Sequence, residues 1–556
     1  RGVFFTIFFY SFWGGGWGPA GGGRPRATAA RAEDPDAIVI DATDTMQSWD
    51  GWGTALAWWA NMYGDLTNIV EGQEQRKNIT DMIFTDKGLN LNIARYNLGT
   101  YENPVNTGWD TVLNMPPVVK DPTDGNWEPG DPFEYELEYD LSNDANQRWV
   151  FDEFLRVQPD GITELWVNSP PYWMTVSGSA SGNRPSGATQ SRDNIAPEAY
   201  GTYASYLVDV LEEFASEGIY FDYIEPFNEP NSGYDSWYGP HSSNQVGYGE
   251  AQSGVLNALH GELVERGLQD TYLIAGTDEL NTSQTAIAWG MMSEEAKNNV
   301  AKINTHTYSG TTEQTSMRNL KEAAYGEDLD YDTPQKKLWM SERTLHMGPE
   351  PESFYYGIAL AQEIIDCINV MGVNAWCHWQ ATDELGVSER STQWRYDMQF
   401  FTFGNFTRYI TPGSTVLNTG NETAAAALTP DNKIVVVTST GLDEDNPNSA
   451  LNHDERNITI EIENAEVKSV SMVQTTAMSD SWEVESVAGE TQRISATLPE
   501  VSVTTYIFEV GEVGSGCGSA FDGGMVALIA GVAAVSAGAA VALRRRKNKS
   551  TGGRDE

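Results

Sequence analysis

The chain has 556 residues, of which 79 are Asp or Glu and 34 are Lys or Arg, so its formal net charge is −45. A surface this acidic repels phosphate backbones, which excludes nucleic-acid binding driven by overall charge, whereas neutral, hydroxyl-rich ligands such as sugars remain compatible with it. The hydrophobic content of 40% is too high for a disordered chain, and three cysteines are too few for a disulfide framework.

The N-terminal segment has the pattern of a secretory leader. Residues 3–13, VFFTIFFYSFW, are too short an apolar run to span a bilayer but suit the core of a signal peptide, and Ala30-Arg31-Ala32 suits its cleavage site. We therefore expect a signal peptide over residues 1–32. The alternative is a mistranslated upstream stretch, which the glycine-rich composition of GGGWGPAGGGRPR would also explain.

Strand-like and helix-like patterns alternate from residue 49 to 408. Seven short apolar runs are predicted strands, and an eighth is expected near residues 40–53; the seven are 91–99, 164–171, 223–230, 272–279, 303–309, 337–343 and 374–380. Strands that alternate with helices predict a parallel sheet, and eight of them predict an α/β fold of the (β/α)8 TIM-barrel type. An open doubly wound sheet would need a glycine-rich phosphate turn after its first strand, and the sequence has none there.

The composition changes after residue 408. Thr- and Val-rich alternation over residues 409–512 predicts a β-sandwich side domain, and residues 33–48, which contain AIVIDAT, are expected to add an N-terminal strand to it. Residues 513–523 resemble a flexible stalk.

The C-terminal end has the pattern of a membrane anchor. Residues 524–543 contain no charge and are followed by a basic tail, residues 544–556, which begins with Arg544, Arg545, Arg546 and Lys547. Twenty apolar residues match the bilayer core, and the cations predict that the tail is cytoplasmic. We therefore expect an extracellular protein held at the cell membrane by one C-terminal transmembrane helix.

The predicted strand ends carry a mixture of polar and aromatic residues. In TIM barrels, the catalytic groups lie at the carboxyl ends of the strands. Glu229 ends the run IEPFNEP and Glu342 ends KLWMSER, so the two carboxylates can face each other across the barrel mouth. Paired carboxylates are the catalytic groups of glycoside hydrolysis. Glu225 and Glu279 are competing candidates: Glu225 lies in mid-strand and could instead be a paired interior residue, and we expect Glu279 to hold a neighbouring loop.

Other catalytic chemistries find little support in the sequence. Six histidines without an H-E-x-x-H motif or a Cys/His cluster give no reason to expect a metal or a cofactor. The absence of a G-x-S-x-G motif disfavours a Ser-His-Asp hydrolase.

Several segments resemble the retaining glycoside hydrolases of family 30. The segments are SWDGWGTALAWWA (48–60), LNIARYNLG (91–99), NSPPYWM (168–174), EPFNEP (225–230), INTHTYSG (303–310), LWMSER (338–343), NAWCHWQ (374–380) and FGNFTRYITPG (403–413). Within that family the chain is most similar to endo-β-1,6-galactanases and β-1,6-galactobiohydrolases. One departure is Gln245-Val246-Gly247, where the family has Gln-Glu-Gly.

The resemblance implies a role for each site residue. It implies that Glu229, after the fourth strand, is the acid/base and that Glu342, after the seventh, is the nucleophile. It also implies that the sugar subsite is lined by Arg95, Trp173, Asn228, His306, Tyr308 and Trp376. The residues themselves leave alternatives open: Arg95 could neutralise an interior carboxylate, His306 could be a core histidine, and Trp52, Trp58 and Trp59 could be packing residues rather than sugar platforms.

The expected function is retaining hydrolysis of β-1,6-galactan side chains of arabinogalactan, with a polysaccharide as the partner. A β-1,6-glucanase, β-glucosidase or xylanase of the same family is the alternative among enzymes. A non-catalytic surface carbohydrate-binding protein is the alternative of another class. The sequence leaves open whether cleavage is endo or releases galactobiose.

Overall fold

The computed structural model describes residues 37–511 and 513. Within that range it leaves out residues 65–69, 102–115, 127–130, 132, 134, 177, 179, 181–193, 196, 232–249, 309–313, 346–353, 383–387, 390–393, 396–397, 442–453, 477–481 and 490. The predicted signal peptide, membrane span and basic tail, and the stalk apart from Val513, lie outside the described residues. None of the helices among the described residues is both long enough and apolar enough to cross a bilayer.

The strands and helices alternate over most of the chain. The strands are β1 (Ala37–Asp41), β2 (Thr45–Ser48), β3 (Gly51–Ala55), β4 (Ile93–Asn97), β5 (Ile162–Trp166), β6 (Tyr223–Glu225), β7 (Leu273–Glu279), β8 (Val300–His306), β9 (Lys337–Glu342), β10 (Ala375–Gln380), β11 (Ser388–Glu389), β12 (Trp394–Arg395), β13 (Thr415–Leu417), β14 (Ala424–Leu428), β15 (Lys433–Thr440), β16 (Arg456–Glu463), β17 (Val467–Thr476), β18 (Glu485–Ser486), β19 (Arg493–Leu498) and β20 (Ser502–Val510). The α-helices are α1 (Trp59–Gly64), α2 (Val70–Phe84), α3 (Ala145–Val157), α4 (Tyr200–Ser216), α5 (Glu250–Glu265), α6 (Thr282–Met291), α7 (Glu294–Asn299), α8 (Gln314–Tyr325), α9 (Phe354–Asp366) and α10 (Met398–Thr407).

Strands β3 to β10 form a closed, parallel eight-stranded barrel. Each strand pairs with the next along the chain, and β10 pairs with β3 to close the ring. The strands are buried along nearly their whole length because they are covered on both faces, by the barrel interior and by the helices. The predicted TIM barrel is confirmed, and its first strand, Gly51–Ala55, begins near the end of the segment where it was expected.

The second unit consists of two β-sheets that enclose their own core. A seven-stranded sheet has the order β18-β17-β20-β15-β14-β13-β2, and a three-stranded sheet has the order β1-β16-β19. Apolar side chains such as Ile40, Val436, Ile460 and Phe508 fill the space between them. The segment before the barrel therefore contributes a strand to each sheet, and the predicted side domain of β-sheets is confirmed.

Helix α10 joins the two units. Every residue of this helix after Met398 is buried, with the barrel on one side and the seven-stranded sheet on the other. The Asn405 amide donates to Thr475 Oγ1 over 2.7 Å, and Thr505 Oγ1 donates to the Asn405 carbonyl over 2.9 Å. Trp482 closes the contact by donating from its indole nitrogen to the Phe401 carbonyl over 2.9 Å.

Candidate active site

Two glutamates meet over the carboxyl-terminal end of the barrel. Glu342 is the last residue of β9, the seventh barrel strand, and Glu229 follows β6, the fourth. Three atoms lie within 4.8 Å of one another: one carboxylate oxygen of Glu229, one of Glu342 and a ring nitrogen of His306. Retaining glycosidases hold their two carboxyl groups about 5–5.5 Å apart, and inverting ones about 6.5–9.5 Å apart. The observed separation belongs to the retaining class.

The loop that carries Glu229 is fixed to the neighbouring strand β7. The Glu229 backbone has a φ of +44°, and its N–H donates to the Asp278 carbonyl over 2.7 Å. Two residues later, the side-chain amide of Asn231 donates to Glu279 over 2.6 Å. Glu279 thus holds a neighbouring loop, as expected, and is not one of the paired carboxylates.

His306 connects both glutamates to a third carboxylate. The ring is fully buried at the end of β8, with Nδ1 3.0 Å from Glu229 and 3.7 Å from Glu342, and Nε2 3.2 Å from Asp278. Burial disfavours the imidazolium, but the charges of Glu342 and Asp278 outweigh it and raise the pKa of His306 well above its usual value. His306 is therefore a buried cation that can donate from both nitrogens.

Two further polar side chains approach Glu342, in addition to His306. Tyr308 donates its hydroxyl to Glu342 Oε1 over 3.2 Å, and Arg95 Nη1 lies 3.7 Å from Oε2. Burial raises the pKa of Glu342 to about 7, with the charge of Glu229 adding to the effect and the cations of His306 and Arg95 opposing it. Glu342 therefore holds its proton up to about pH 7 and is ionised above it.

Arg95 lies inside the barrel and serves more than one carboxylate. It donates from Nε to Glu164 over 2.7 Å and from Nη2 to Asp278 over 2.8 Å, and from Nη1 to the Ser341 carbonyl over 2.9 Å. The alternative of an interior ion pair is thus correct for Arg95. Its contact with Glu342 also places it beneath the site.

A second buried polar layer lies below the site, and Glu225 is the one member that the sequence analysis considered as a paired interior residue. Lys302 is fully buried, donates to Glu164 and Asn304, and lies 3.3 Å from the centre of the Trp339 ring. Asn304 in turn donates to Glu225 over 3.1 Å. The available signal was a charged or amide side chain inside an otherwise apolar strand, because such a residue must find a partner within the barrel.

The other predicted sugar-binding residues differ in where they lie. Trp173 is buried beside Tyr101, with ring centres 5.7 Å apart, and Asn228 precedes Glu229 with its amide oxygen buried and unbonded to any described residue. Tyr308 stands 5.7 Å from the His306 ring. These residues, with Arg95 and His306, accompany the two glutamates at the carboxyl end of the barrel.

The structure does not place Trp376 in the cleft. Its ring packs 5.2 Å from Phe403 of α10 and is fully buried between the barrel and the helices. Side chains alternate along a strand, and the opposite face of β10 carries Ala375 and Cys377 into the barrel. Trp376 is therefore a packing residue, and its prediction as a sugar contact is corrected.

Trp379 takes the place at the mouth that was predicted for Trp376. Its ring lies 5.9 Å from Trp166 and 5.2 Å from Trp58, both at the carboxyl ends of barrel strands. Trp58 and Trp379 are half-buried, whereas Trp52 and Trp59 are fully buried in the core. Among the described contacts, Trp58 is the one of Trp52, Trp58 and Trp59 that packs against Trp379.

Glu229, His306 and Glu342 are also close enough to surround a cation. A metal ligand histidine must be neutral, because an imidazolium has no free lone pair. The three carboxylates around His306 favour its charged form, and its Nδ1 is directed at Glu229. The chemistry of this group therefore fits proton transfer better than metal binding.

The sequence was compared with known families. Residues 35–389 match the family described as O-Glycosyl hydrolase family 30. The chain belongs to this family. Glu225–Pro230 and Leu338–Arg343, which carry the paired carboxylates, both lie within the match.

Similar proteins of known activity come from a fungus and a bacterium. The chain is 29% identical to an endo-β-1,6-galactanase of Hypocrea rufa, over 74% of this chain and 82% of the relative. It is 27% identical to an exo-β-1,6-galactobiohydrolase of Bifidobacterium longum subsp. longum, over 66% of this chain and 28% of that much longer protein. The catalytic domain of a family 30 xylanase from Talaromyces cellulolyticus shares the fold, with a TM-score of 0.62 and 18% identity, over 85% of this chain and 99% of that one. The Gln245–Gly247 departure lies outside the described residues.

Proposed function

We propose that this family 30 glycoside hydrolase cleaves β-1,6-galactan side chains of arabinogalactan with retention of the anomeric configuration. The observation that carries the mechanism is the pair of carboxylate oxygens of Glu229 and Glu342, which lie within 4.8 Å of each other, one after the fourth barrel strand and one at the end of the seventh. The similarity to a fungal β-1,6-galactanase and a bacterial β-1,6-galactobiohydrolase supports the choice of linkage.

In the first step, Glu229 acts as the acid and Glu342 as the nucleophile. Glu229 gives its proton to the glycosidic oxygen as the bond from that oxygen to C1 breaks, and a Glu342 oxygen forms a bond to C1 from the opposite face. The products are a glycosyl ester on Glu342 and a free saccharide that carries the transferred proton. In the second step, Glu229 takes a proton from water, the hydroxide attacks C1, and the ester bond breaks.

The contacts of the two glutamates support this assignment of roles. Tyr308 and Arg95 approach Glu342, and both stabilise a carboxylate that must be ionised to attack and must leave again in the second step. His306 lies between the two groups, nearer to Glu229. Its positive charge can therefore stabilise the Glu229 carboxylate once the acid has given up its proton and acts as the base.

Substrate specificity is tested by measuring products from four polymers: β-1,6-galactan, β-1,3-galactan, β-1,6-glucan and xylan. We expect turnover on β-1,6-galactan at least tenfold above the others, with the β-anomer released first in proton NMR spectra. Faster turnover of glucan or xylan would replace the substrate but keep the enzyme. Binding without turnover on any of the four would instead support a carbohydrate-binding protein.

The two roles are separated by azide rescue. Glu342→Ala with azide should form an α-glycosyl azide, because azide then occupies the place of the nucleophile. Glu229→Ala with azide should form a β-glycosyl azide from the glycosyl-enzyme and should keep activity toward aryl glycosides with good leaving groups. Exchanged stereochemistry of the two products would exchange the two roles.

We also propose that the enzyme acts at the outer face of the cell membrane. The support is the apolar residues 524–543 followed by cations, and the leader-like residues 1–32. Expression with and without residues 524–556 tests the anchor: the full chain should sediment with membranes, and the shortened one should be released. Release of both would contradict the proposal.

A further inference from the structure

A cavity separate from the catalytic mouth lies beside the barrel, between α9 and the sheets of the side domain. Its volume is about 810 Å³, and its walls are the outer face of α9, the turn 418–423 and the ends of β15 and β16. We call it the junction cavity. It is separate from the catalytic mouth, because neither Glu229 nor Glu342 borders it.

The walls of the junction cavity are held in place by hydrogen bonds. Gln362 of α9 donates to the Glu422 carbonyl in the turn over 2.7 Å, and Asn369, in the helical segment that follows α9, donates to the Ala424 carbonyl at the start of β14 over 2.8 Å. Within the turn, Asn421 accepts from the Thr423 N–H, and Arg456 donates to Thr423 Oγ1 over 2.6 Å. A ligand would therefore meet a surface that needs little ordering.

The remaining groups define the chemistry of the ligand. The polar lining is dominated by amides and hydroxyls, with Met46 and Val370 as apolar contacts. Four carboxylates against two arginines disfavour an anion. A divalent cation is also disfavoured, because the described residues contain one group of three potential metal ligands within reach of each other, and it lies in the catalytic site.

We propose that the junction cavity binds a neutral oligosaccharide, as a second saccharide site outside the catalytic centre. Sugar hydroxyls both donate and accept hydrogen bonds, which suits a surface rich in amides and hydroxyls. None of the described residues that border the cavity is aromatic, so recognition rests on hydrogen bonds and on contact of sugar C–H groups with Met46 and Val370. The proposal does not depend on which polymer the catalytic centre cleaves.

The test counts binding sites by calorimetry on the full chain carrying Glu342→Gln, which blocks turnover. The probes are β-1,6-galactohexaose, β-1,6-glucohexaose and xylohexaose, and the host should not glycosylate, because Asn421 begins an Asn-Glu-Thr sequon inside the cavity wall. We expect two sites for at least one probe. Adding Gln362→Ala or Thr423→Val should weaken the second site at least fivefold and leave the first unchanged.

The matched control is Gln269→Ala, at an exposed glutamine on a separate hollow of the surface. It should keep both sites. In the wild-type background, Gln362→Ala should lower hydrolysis of dilute polymer about threefold and leave kcat/KM for a disaccharide aryl glycoside unchanged. A single site for all three probes, or a second site that neither cavity variant weakens, overturns the proposal. The identity of the cleaved polymer is determined separately, from turnover by the wild-type chain.

Discussion

At the scale of single residues, His306 and Glu342 influence each other's charge. The carboxylates around His306 raise its pKa well above the usual value, and burial raises the pKa of Glu342 to about 7 although the His306 cation opposes it. Asp278, which contacts both His306 and Arg95, fixes the geometry beneath the pair, and the same two cations lower the pKa of Asp278 against the effect of burial.

The pH dependence of catalysis should show the ionisation of Glu342. Glu342 must be ionised to attack C1 and its pKa is raised to about 7, so kcat/KM for a natural oligosaccharide should fall about tenfold per pH unit below pH 7. A 2,4-dinitrophenyl glycoside needs the same nucleophile and should show the same acid limb. Initial rates between pH 4 and 9 check it, and a rate that stays constant from pH 7 down to pH 5 would contradict it.

Glu342 should also reduce the stability of the protein above its unfolded pKa. Its folded pKa, about 7, is raised above the ordinary value of 4.5, so the cost of burying its charge grows as pH rises between these values and is absent below them. Glu342→Gln should therefore increase the free energy of unfolding by about 1–3 kcal/mol at pH 8 and by little at pH 4. Urea unfolding at both pH values measures this, with the exposed Glu294→Gln as the control.

At the scale of the elements, the alternation of side chains along β10 separates packing from binding. Neighbouring tryptophans on this strand differ in environment: Trp376 faces α10, and Trp379 faces the aromatic cluster at the mouth. The run NAWCHWQ was correctly predicted as a strand, but its facing was not. Because β10 is buried on both sides, apolar residues occur on both of its faces, and the sequence pattern does not mark which face is inside.

Alanine substitutions at the two tryptophans should have opposite effects. Trp376→Ala should destabilise the fold by about 3–5 kcal/mol because it opens a cavity under α10, and it should leave KM unchanged. Trp379→Ala should change stability less but lower kcat/KM at least tenfold. Thermal unfolding and kinetics on the same preparations check both, and a large rise in KM for Trp376→Ala would return that residue to the cleft.

At the scale of the whole molecule, the barrel and the side domain share one interface around α10. A Cβ added at Gly404 would overlap the Trp482 ring, which is held by its bond to the Phe401 carbonyl. Helix α10 can therefore approach the seven-stranded sheet closely only because position 404 has no side chain.

Gly404→Ala should lower the free energy of unfolding by about 1–3 kcal/mol, because the overlap outweighs the gain in helix propensity of about 1 kcal/mol. Trp482→Phe provides a smaller ring and should recover part of the loss in the double variant. Calorimetry measures both, and kcat/KM should stay unchanged. Stabilisation by Gly404→Ala alone would contradict the described contact.

The barrel, the side domain of β-sheets and the approximate positions of the two glutamates could all be predicted from the amino-acid sequence. Each depends on a local pattern: the period of apolar residues distinguishes strands from helices, and a strand end in a TIM barrel indicates which side chains reach the mouth. The positions of Glu229 and Glu342 at two such ends could therefore be predicted from short segments.

By contrast, the groups that surround the glutamates and the strand faces that point into the barrel became known from the three-dimensional structure. Asp278 and His306 contact each other from neighbouring strands, Lys302 finds Glu164 across the barrel interior, and the junction cavity combines α9 with a turn more than fifty residues later. These contacts depend on the register of strands and on the packing of helices against sheets. Both are set by the closing of the whole barrel and not by any local period of the chain.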